Sequence, residues 1–464
     1  MHRIRRISRW TRALSHRSAA LLTGTGGLVA LWPGSAAAQE AAGPTLVAAS
    51  TLQGADTAWL MISTALVLLM TLPGIALFYG GMVRRFNVIN TMASVVGIAA
   101  LVSVLWFALA YSLAFTPGGA AGGFIGGLER IGFAGLDYLG STGQVAVSHM
   151  AKHVPESVFA MFQLTFAIIT CALVVGALVE RMRFAALLVF TALWLLAVYV
   201  PIAHWVWEPG GWLAQLGALD FAGGAVVHIN AGAAALVVAY ALGPRSGYGR
   251  EPFVPFNLGL TMAGTGLLWV GWFGFNAGSA LAADGRAGLA LAVTHLAAAS
   301  GAIAWMAAEW LARKRATLLG LCSGVVAGLV AITPAAGTAG PAGAIAIGLS
   351  AGVVCFFCAT TLKRRLGYDD SLDVFGVHAM GGIVGALLTG VFAAPALGGF
   401  GEVTDIPAQV WVQAKGVGFT IAYTTVVTYV LLKLVGLVIR LRVDEDQEAE
   451  GLDLALHNER GYNL

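Results

Sequence analysis

Charged residues are scarce in this sequence. Lysine, arginine, aspartate and glutamate make up only 11% of the 464 residues, and the formal net charge is +3. A soluble protein of this length needs considerably more charge to cover its surface. The net charge itself says little about partners, because most basic residues follow apolar segments and set their orientation in a membrane. We therefore exclude an ordinary soluble protein and expect no nucleic-acid partner.

Cysteine and catalytic motifs are also sparse. Only four cysteines occur, all within apolar segments, and Cys355 and Cys358 form a C-x-x-C pair. Because no second pair or polar loop accompanies it, helix packing is favoured over metal or redox chemistry. The zinc-protease motif H-E-x-x-H is absent, and neither His228 nor His378 has a serine or cysteine beside it. The sequence therefore predicts no enzyme activity, no cofactor and no metal site.

Long apolar segments dominate the sequence instead. Hydrophobic residues make up 58% of the chain, and the mean hydropathy is +0.81. These residues form blocks of about 20, the length at which an α-helix crosses a bilayer. The sequence thus predicts an all-α polytopic membrane protein with eleven transmembrane helices. Their approximate ranges are 57–82, 88–115, 157–180, 184–203, 222–243, 257–280, 288–312, 317–335, 341–362, 374–394 and 409–439.

Both ends of the chain differ from this transmembrane domain, which we assign to residues 39–442. Residues 1–38 contain six arginines, then an apolar stretch from Ala19 to Trp32, then Ala36–Ala38. This order is typical of a secretory signal peptide, and a retained anchor is the alternative. Residues 443–464 begin with an acidic run and form a tail, for which a disordered solvated terminus is the alternative interpretation.

Basic residues indicate how the helices are oriented. Fourteen lysines and arginines follow the odd-numbered helices, whereas four follow the even-numbered ones. Loops on the cytoplasmic side carry an excess of these residues. The sequence therefore predicts the N-terminus outside and the C-terminus inside, which agrees with a signal peptide. The expected location is the cell (inner) membrane.

Two acidic–histidine motifs mark the fifth and tenth helices. Asp220 precedes His228 by eight residues of predicted helix, about 12 Å along the axis, and Asp373 precedes His378 in a shorter version. A histidine inside an apolar span is costly without a partner, and the simplest partner for each is the other. Since the two helices run in opposite directions, helices 1–5 and 6–10 are predicted to be inverted repeats. Chance similarity is the alternative.

Aromatic residues on these and neighbouring helices are candidates for lining a pore. They recur at spacings that place them on one helix face. Contact with lipid is the alternative interpretation for each of them taken singly. The candidates are Phe162 and Phe166 in the third helix, Trp272, Phe275 and Ser279 in the sixth, and Phe78 and Tyr79 at the inner end of the first.

With these motifs in order, the sequence resembles the ammonium transporter (Amt/Rh) family, specifically its bacterial branch. The resemblance extends from about Ala55 to the C-terminus. Five strings carry it: LPGIALFYGG at 72–81, PIAH at 201–204, DFAGGAVVHIN at 220–230, GWFGFNAGS at 271–279 and DVFGVH at 373–378.

The resemblance implies a homotrimer with one pore in each subunit. By position, Phe162, Trp207 and Ser279 match the family's outer cation-recruiting site, to which the helical spacing adds Trp272. Asp220 matches the aspartate that supports this site without lining the pore.

The resemblance also implies the deeper parts of the pore. Phe166 and Phe275 match the family's stacked phenyl gate, and His228 and His378 match its hydrogen-bonded twin histidines. Phe78 and Tyr79 are expected in the inner vestibule. The tail is similar to the family's cytoplasmic regulatory tail, which a trimeric PII-type signalling protein can gate.

The implied function is ammonium transport for nitrogen assimilation. Ammonium would be held at the aromatic rim, where each cation–π contact is worth about 0.5–2 kcal/mol. We expect it to lose a proton near the gate and to cross as ammonia, and the histidines are able to relay the proton. An ammonium sensor that uses the same pore fold is the alternative.

The sequence departs from the family pattern after Trp207. A glycine-rich turn is replaced there by Glu208-Pro209-Gly210-Gly211, one residue longer than the family predicts. Glu208 either adds negative potential to the outer vestibule or is an ordinary solvated loop charge, and the second interpretation is favoured. Of the other histidines, His204 and His295 are predicted to be packed or interfacial, and His149 and His153 to lie in a solvated outer loop.

Overall fold

The chain forms a bundle of long helices in the computed structural model, which describes residues 44–462. In these residues eleven helices are long and apolar enough to cross a membrane, so the predicted fold class is confirmed. The predicted signal peptide lies outside the described residues. In chain order, α1 to α11 are Gly54–Met82, Val88–Phe115, Glu156–Leu178, Phe184–Gln215, Gly224–Leu242, Leu258–Gly278, Gly285–Arg313, Leu318–Ala335, Pro341–Leu366, Phe375–Phe392 and Ile406–Val438.

The predicted end of α4 at residue 203 is wrong. The helix continues to Trp207 and, after a turn, resumes over Trp212–Gln215. Pro201 has no N–H and its ring crowds the preceding turn, which usually ends a helix. Here a wider π-helical turn at Leu195–Tyr199 precedes Pro201 and accommodates it. Trp207 is therefore held by a helix and not by a loop.

A small antiparallel sheet lies outside the helices. Strand β1 (Thr45–Ala48) pairs with β3 (Gln144–Val147), which also pairs with β2 (Tyr138–Leu139). Because β2 and β3 belong to the loop between α2 and α3, the sheet ties the segment before α1 to that loop. The sequence did not predict these strands, since two to four residues are too few to show a periodic pattern.

Glycines allow α7, α8 and α9 to pack closely, as the four-residue spacing of small residues predicts. A methyl group on Gly301 of α7 would lie 2.6 Å from the carbonyl oxygen of Gly324 in α8. One on Gly352 of α9 would lie 2.5 Å from the carbonyl oxygen of Gly301. No side chain fits in so little space, so the small faces of these helices are interfaces.

Loops that follow odd-numbered helices meet at one end of the bundle, which we call the basic end. Arg181 and Arg245 pair with Asp369 at 2.9 and 2.8 Å, and Arg84 pairs with Glu180 at 2.6 Å. Burial alone would raise the pKa of the Asp369 carboxyl, but the guanidinium groups hold it below its usual value. Because these loops follow α1, α3, α5 and α9, successive helices cross the bundle in alternate directions.

The tail packs against the basic end of the same chain. Glu448 pairs with Arg442 at 2.7 Å, and Asp453 Oδ1 accepts the backbone N–H of Asn90 at 2.8 Å. Both carboxylates are buried. As far as the described residues extend, the interpretation of the tail as a disordered solvated terminus is wrong. It forms two short helices, α12 (Glu445–Glu450) and α13 (Leu452–His457).

Candidate functional site

The histidines of α5 and α10 meet in the middle of the bundle. His228 Nδ1 and His378 Nδ1 are 3.3 Å apart, and the ring centroids are 5.4 Å apart. Both side chains are buried. A hydrogen bond between two Nδ1 atoms requires one of them to carry a proton and the other to be bare. In a neutral pair, one Nε2 atom is then an acceptor and the other is a donor.

Asp220 caps the start of α5. Its two carboxylate oxygens accept the backbone N–H groups of residues 223–226. The helix begins only at Gly224, after Gly223 with φ 111°, so the prediction of helix directly from Asp220 is wrong. Burial raises the pKa of the Asp220 carboxyl, and the four N–H groups oppose that rise. The backbone oxygen of Asp220 also accepts the indole N–H of Trp207 at 2.9 Å.

The equivalent cap of α10 is Asp370, whereas the sequence indicated Asp373. Asp370 and Asp220 each accept, through Oδ2, the N–H of the residue five positions further on, at 2.7 and 2.8 Å. Asp373 instead pairs with Lys363 at 2.7 Å. The two caps are separated by 150 residues, the same interval that separates the two histidines. The repeat of α5 and α10 therefore includes their carboxylates.

Two stacked phenylalanine rings cover the histidines on the side away from the basic end. The ring centroids of Phe166 and Phe275 are 4.3 Å apart, and the ring planes are tilted by 34°. The Phe275 ring lies 5.9 Å from the His228 ring. Both phenylalanines are buried. A solute that approaches His228 from this side has to displace these rings.

Phe162, Trp207 and Ser279 form the next layer. The Phe162 and Trp207 rings lie 4.9 and 5.7 Å from the Phe166 ring, so the structure brings both against the phenyl pair. Ser279 Oγ donates to the carbonyl oxygen of Phe275 at 2.8 Å. Because the hydroxyl proton is used in that bond, the oxygen lone pairs of Ser279 are available to accept a hydrogen bond.

A small apolar cavity adjoins the two histidines. Its volume is about 10 Å³, close to the smallest space that holds one water molecule. Within the described part of the chain, His228 Nε2 has no hydrogen-bond partner. Beside the histidines, the cavity is lined by Ile75, Phe78, Tyr79, Ile169, Leu173, Leu268, Trp272 and Val326.

Trp272 lies at the level of the histidines, one layer deeper than the outer site to which the sequence assigned it. Its ring is stacked on His228 at a centroid distance of 5.3 Å, and its N–H donates to Thr333 Oγ1 at 2.9 Å. Phe78 and Tyr79 line the same cavity from α1. These candidates for the inner vestibule are therefore in direct contact with the histidine level.

Comparisons with known proteins agree with this arrangement. A family model described as "Ammonium Transporter Family" matches residues 58–462. The chain belongs to this family. An ammonium transporter of Bacillus subtilis is 46% identical to it, across 89% of this chain and 99% of the relative. One of Aquifex aeolicus is 47% identical, across 89% and 94%. The resemblance to the bacterial branch is confirmed.

Solved structures of ammonium transporter proteins share the fold. The crystal structure of Saccharomyces cerevisiae Mep2 matches with a TM-score of 0.77 and 36% identity, over 85% of this chain and 91% of that one. A structure named "Sensor Amt Protein" matches with a TM-score of 0.78 and 29% identity, over 86% and 98%. Because the curated relatives are transporters, the expectation that the chain is not an enzyme is confirmed.

In this ammonium transporter family member, Glu208 is a buried carboxylate beside Trp207. Only 3% of its side chain is exposed, and His149 Nε2 lies 3.1 Å from its Oε1 atom. Its Oε2 atom accepts the backbone N–H of Gly210. The prediction of an ordinary solvated charge is therefore wrong. His204 is buried as predicted, and both its ring nitrogens face backbone carbonyl oxygens.

Other candidate chemistry is absent from the described part of this family member. No group of three or more side chains there could hold a metal ion. All four cysteines are buried, and Cys355 Sγ contacts the carbonyl oxygen of Val377 at 3.7 Å, as helix packing predicts. Ser350 stands in a G-x-S-x-G string, but it lies within α9 and donates to the carbonyl oxygen of Ala346. A nucleophilic serine would require a strand-to-helix turn at this position.

Proposed function

We propose that this chain transports ammonium by recruiting the cation at Phe162, Trp207 and Ser279, removing one proton and conducting ammonia past the twin histidines. One observation carries the proposal. Two imidazoles face each other across 3.3 Å in an apolar cavity, behind a stacked phenyl pair.

Physical chemistry supports a binding layer that holds a cation without passing it on. An apolar pore imposes a large desolvation cost on a bare ion. Cation–π contacts with Phe162 and Trp207 return about 0.5–2 kcal/mol each, and Ser279 Oγ accepts one N–H. These contacts hold ammonium at the entrance but are too weak to carry it through. The carboxylate of Asp220, fixed by four N–H groups, adds negative potential behind the layer.

Loss of a proton removes this obstacle. Ammonia is neutral and close in size to water, and the cavity beside the histidines has about the volume of one such molecule. Potassium is similar to ammonium in size but has no proton to release. The proposal therefore explains selectivity against potassium without a tight ionic cage.

The paired imidazoles are suited to passing the proton separately. When a proton moves between the two Nδ1 atoms, the donor and acceptor roles of the Nε2 atoms are exchanged. An imidazole that takes up a proton at one ring nitrogen is able to release one from the other, so either ring is suited to relaying it. His228 Nε2 faces a cavity in which no other group of the described chain satisfies it.

Currents across liposome membranes test this mechanism. We expect the parent protein to give an inward current on addition of ammonium and none on addition of potassium. The His228→Ala/His378→Ala variant should lose at least about 90% of the ammonium current, since it has no group to relay the proton. His295→Ala is the matched control, because His295 belongs to α7 and packs on Trp269. An unchanged current in the double variant, with potassium still excluded, would refute the relay.

Orientation, assembly and regulation are part of the same proposal. We place the basic end and the tail on the cytoplasmic side of the inner membrane, and the Trp207 layer outside. We further propose a signal peptide at residues 1–38, a homotrimer with one pore per subunit, and a tail that answers to a PII-type protein in nitrogen assimilation. The gathering of basic loops at one end supports the orientation.

An ammonium sensor is the second candidate, because a structure named "Sensor Amt Protein" shares the fold. Expression in a host that lacks ammonium transporters separates the two functions. Growth on limiting ammonium supports transport. Ammonium binding to the purified protein, without growth or current, would favour the sensor.

A further inference from the structure

A large cleft opens at the basic end, away from the pore. Its volume is about 1100 Å³, and it lies between the last turns of α11 and the loop that follows α5. Arg250 stands on the loop side, and Lys433, Gly436, Leu437 and Arg440 stand on the helix side. None of the pore candidates lines it, so the function proposed above leaves it unexplained.

Positive charge predominates in this cleft. Arg245 and Arg442 are held by buried carboxylates of the protein, and Arg440 pairs with Asp444. The other two basic residues that line the cleft are exposed and form no ion pair within residues 44–462. The basic lining is Arg245, Arg250, Lys433, Arg440 and Arg442, and the acidic lining is Asp444 and Glu445.

The two basic residues without an ion pair are Arg250 and Lys433, and they stand on opposite walls of the cleft. Lys433 Nζ lies 5.2 Å from the centre of the Tyr429 ring, one turn earlier on α11. Two cations that form no ion pair within the described residues, on either side of one cleft, provide charge complementarity for a phosphate group.

The helix wall continues into an apolar surface. Leu437 and Val438 are 82% and 84% exposed, and Leu434 is half exposed. Between them, Gly436 leaves a groove, because a methyl group added there would meet only Leu441, at 3.7 Å. Because α11 is long and apolar enough to cross a membrane, exposed apolar side chains at its end are suited to contact with lipid. An apolar groove that ends at two free cations has the shape of a phospholipid, not of a free anion.

We propose that this cleft binds an anionic phospholipid of the adjoining leaflet, with its phosphate between Arg250 and Lys433 and an acyl chain along Gly436 and Leu437. The binding site also reaches the tail. The backbone N–H of Ser246, in the same loop as Arg250, donates to Glu448 Oε1 at 2.7 Å. A bound headgroup therefore holds together α11, the loop after α5 and the start of the tail.

Binding of a fluorescent phosphatidylglycerol to the full-length protein in neutral detergent tests the proposal, with phosphatidylcholine as the uncharged reference. Each basic residue near an anionic lipid is worth about fivefold in affinity. We therefore expect Arg250→Gln/Lys433→Gln to weaken phosphatidylglycerol binding about 25-fold and to leave phosphatidylcholine unchanged. Gly436→Leu should weaken both lipids, because it fills the groove.

Lys314→Gln/Arg315→Gln is the matched control, since these exposed basic residues lie in another loop of the basic end. It should bind phosphatidylglycerol as the parent does. An unchanged thermal unfolding temperature confirms that each variant is folded. The proposal is overturned if Arg250→Gln/Lys433→Gln binds phosphatidylglycerol normally or if the control weakens it equally. It is also overturned if inorganic phosphate or glycerol 3-phosphate displaces the lipid at equal concentration, because the site then recognises a free anion.

Discussion

In each half of the molecule an aspartate caps the helix that carries the pore histidine, but the surroundings of the two carboxylates differ. At the end away from the basic loops, both oxygens of Asp220 are occupied by the N–H groups of residues 223–226. At the basic end, Asp370 Oδ2 accepts the Phe375 N–H, while Oδ1 has no hydrogen-bond partner in the described chain. Both oxygens of Asp220 therefore accept hydrogen bonds, whereas only one oxygen of Asp370 does.

This difference indicates two separate functions for one repeated feature. The four N–H groups around Asp220 favour the charged form of its carboxylate beneath the proposed ammonium site, whereas burial opposes it. Burial raises the pKa of Asp370 to about 6, an effect that Lys363 opposes and Asp373 reinforces. We infer that the outer carboxylate supports the binding layer, whereas the carboxylate at the basic end changes its charge near neutral pH.

Of the substitutions that test the difference between the two caps, Asp220→Ala is expected to have the largest effect. It leaves four buried N–H groups without an acceptor, and one unsatisfied group already costs about 1–3 kcal/mol. A loss of at least about 3 kcal/mol lowers the ratio of intact to disrupted cap about 100-fold. We expect ammonium uptake in a transporter-deficient host to fall by up to that factor, and the thermal unfolding temperature to fall with it.

Asp370→Ala is the matched variant for the other half. It removes the acceptor from one N–H group, that of Phe375, instead of four, so uptake should fall clearly less than in Asp220→Ala. Equal losses in the two variants would contradict the distinction between a saturated and a half-satisfied cap.

The sequence was sufficient to predict the architecture and the meeting of the histidines. Apolar blocks of about 20 residues define the helices. His228 and His378 both lie inside such helices, where the simplest polar partner for each is the other. The choice between Asp370 and Asp373 required the structure, because both precede α10 and only hydrogen bonding identifies the cap. One signal was available: Asp370 lies eight residues before His378, the interval that separates Asp220 from His228.

Two other features depend on contacts that the sequence does not show. Glu208 is buried and contacts His149, which is 59 residues earlier in the chain. The sequence grouped Trp272 with Ser279 because both lie on one face of α6. Residues on the same helix face still differ in their depth along the helix axis. The indole N–H of Trp272 bonds to Thr333 of α8, which fixes the ring at the level of the histidines.

A smaller effect should follow when Asp370 is made unable to titrate. Its pKa in the folded protein, about 6, lies above the ordinary value of 3.8. The folded state therefore binds the proton more tightly, and the stability contribution is present at low pH and is lost as pH rises through 6. Relative to the parent, Asp370→Asn should gain up to about 3 kcal/mol in unfolding free energy between pH 4 and pH 7.

Thermal unfolding across that pH range measures this gain. Glu402→Gln is the control, because Glu402 is exposed and its replacement should give a profile parallel to that of the parent. If the profiles of Asp370→Asn and the parent are also parallel, Asp370 does not titrate in this range and the electrostatic contrast with Asp220 fails.

The smallest effect is expected at Glu208, a third carboxylate, which lies close to the outer layer. Its side chain is almost completely buried and is engaged by His149 and the Gly210 N–H, so its charge is not presented to the entrance. Its partner His149 is 38% exposed, and ion pairs that reach the solvent are worth about 0–1 kcal/mol. We expect Glu208→Gln to change the KM for ammonium less than about twofold, at low and high salt alike. The glutamine oxygen still accepts the Gly210 N–H, and the side-chain NH2 group is able to donate to His149 Nε2 in the tautomer that leaves this nitrogen bare. A KM that rises several-fold only at low ionic strength would mean that Glu208 attracts ammonium from solution. Glu208 would then share the electrostatic function of Asp220, and Asp370 at the basic end has no equivalent of Glu208.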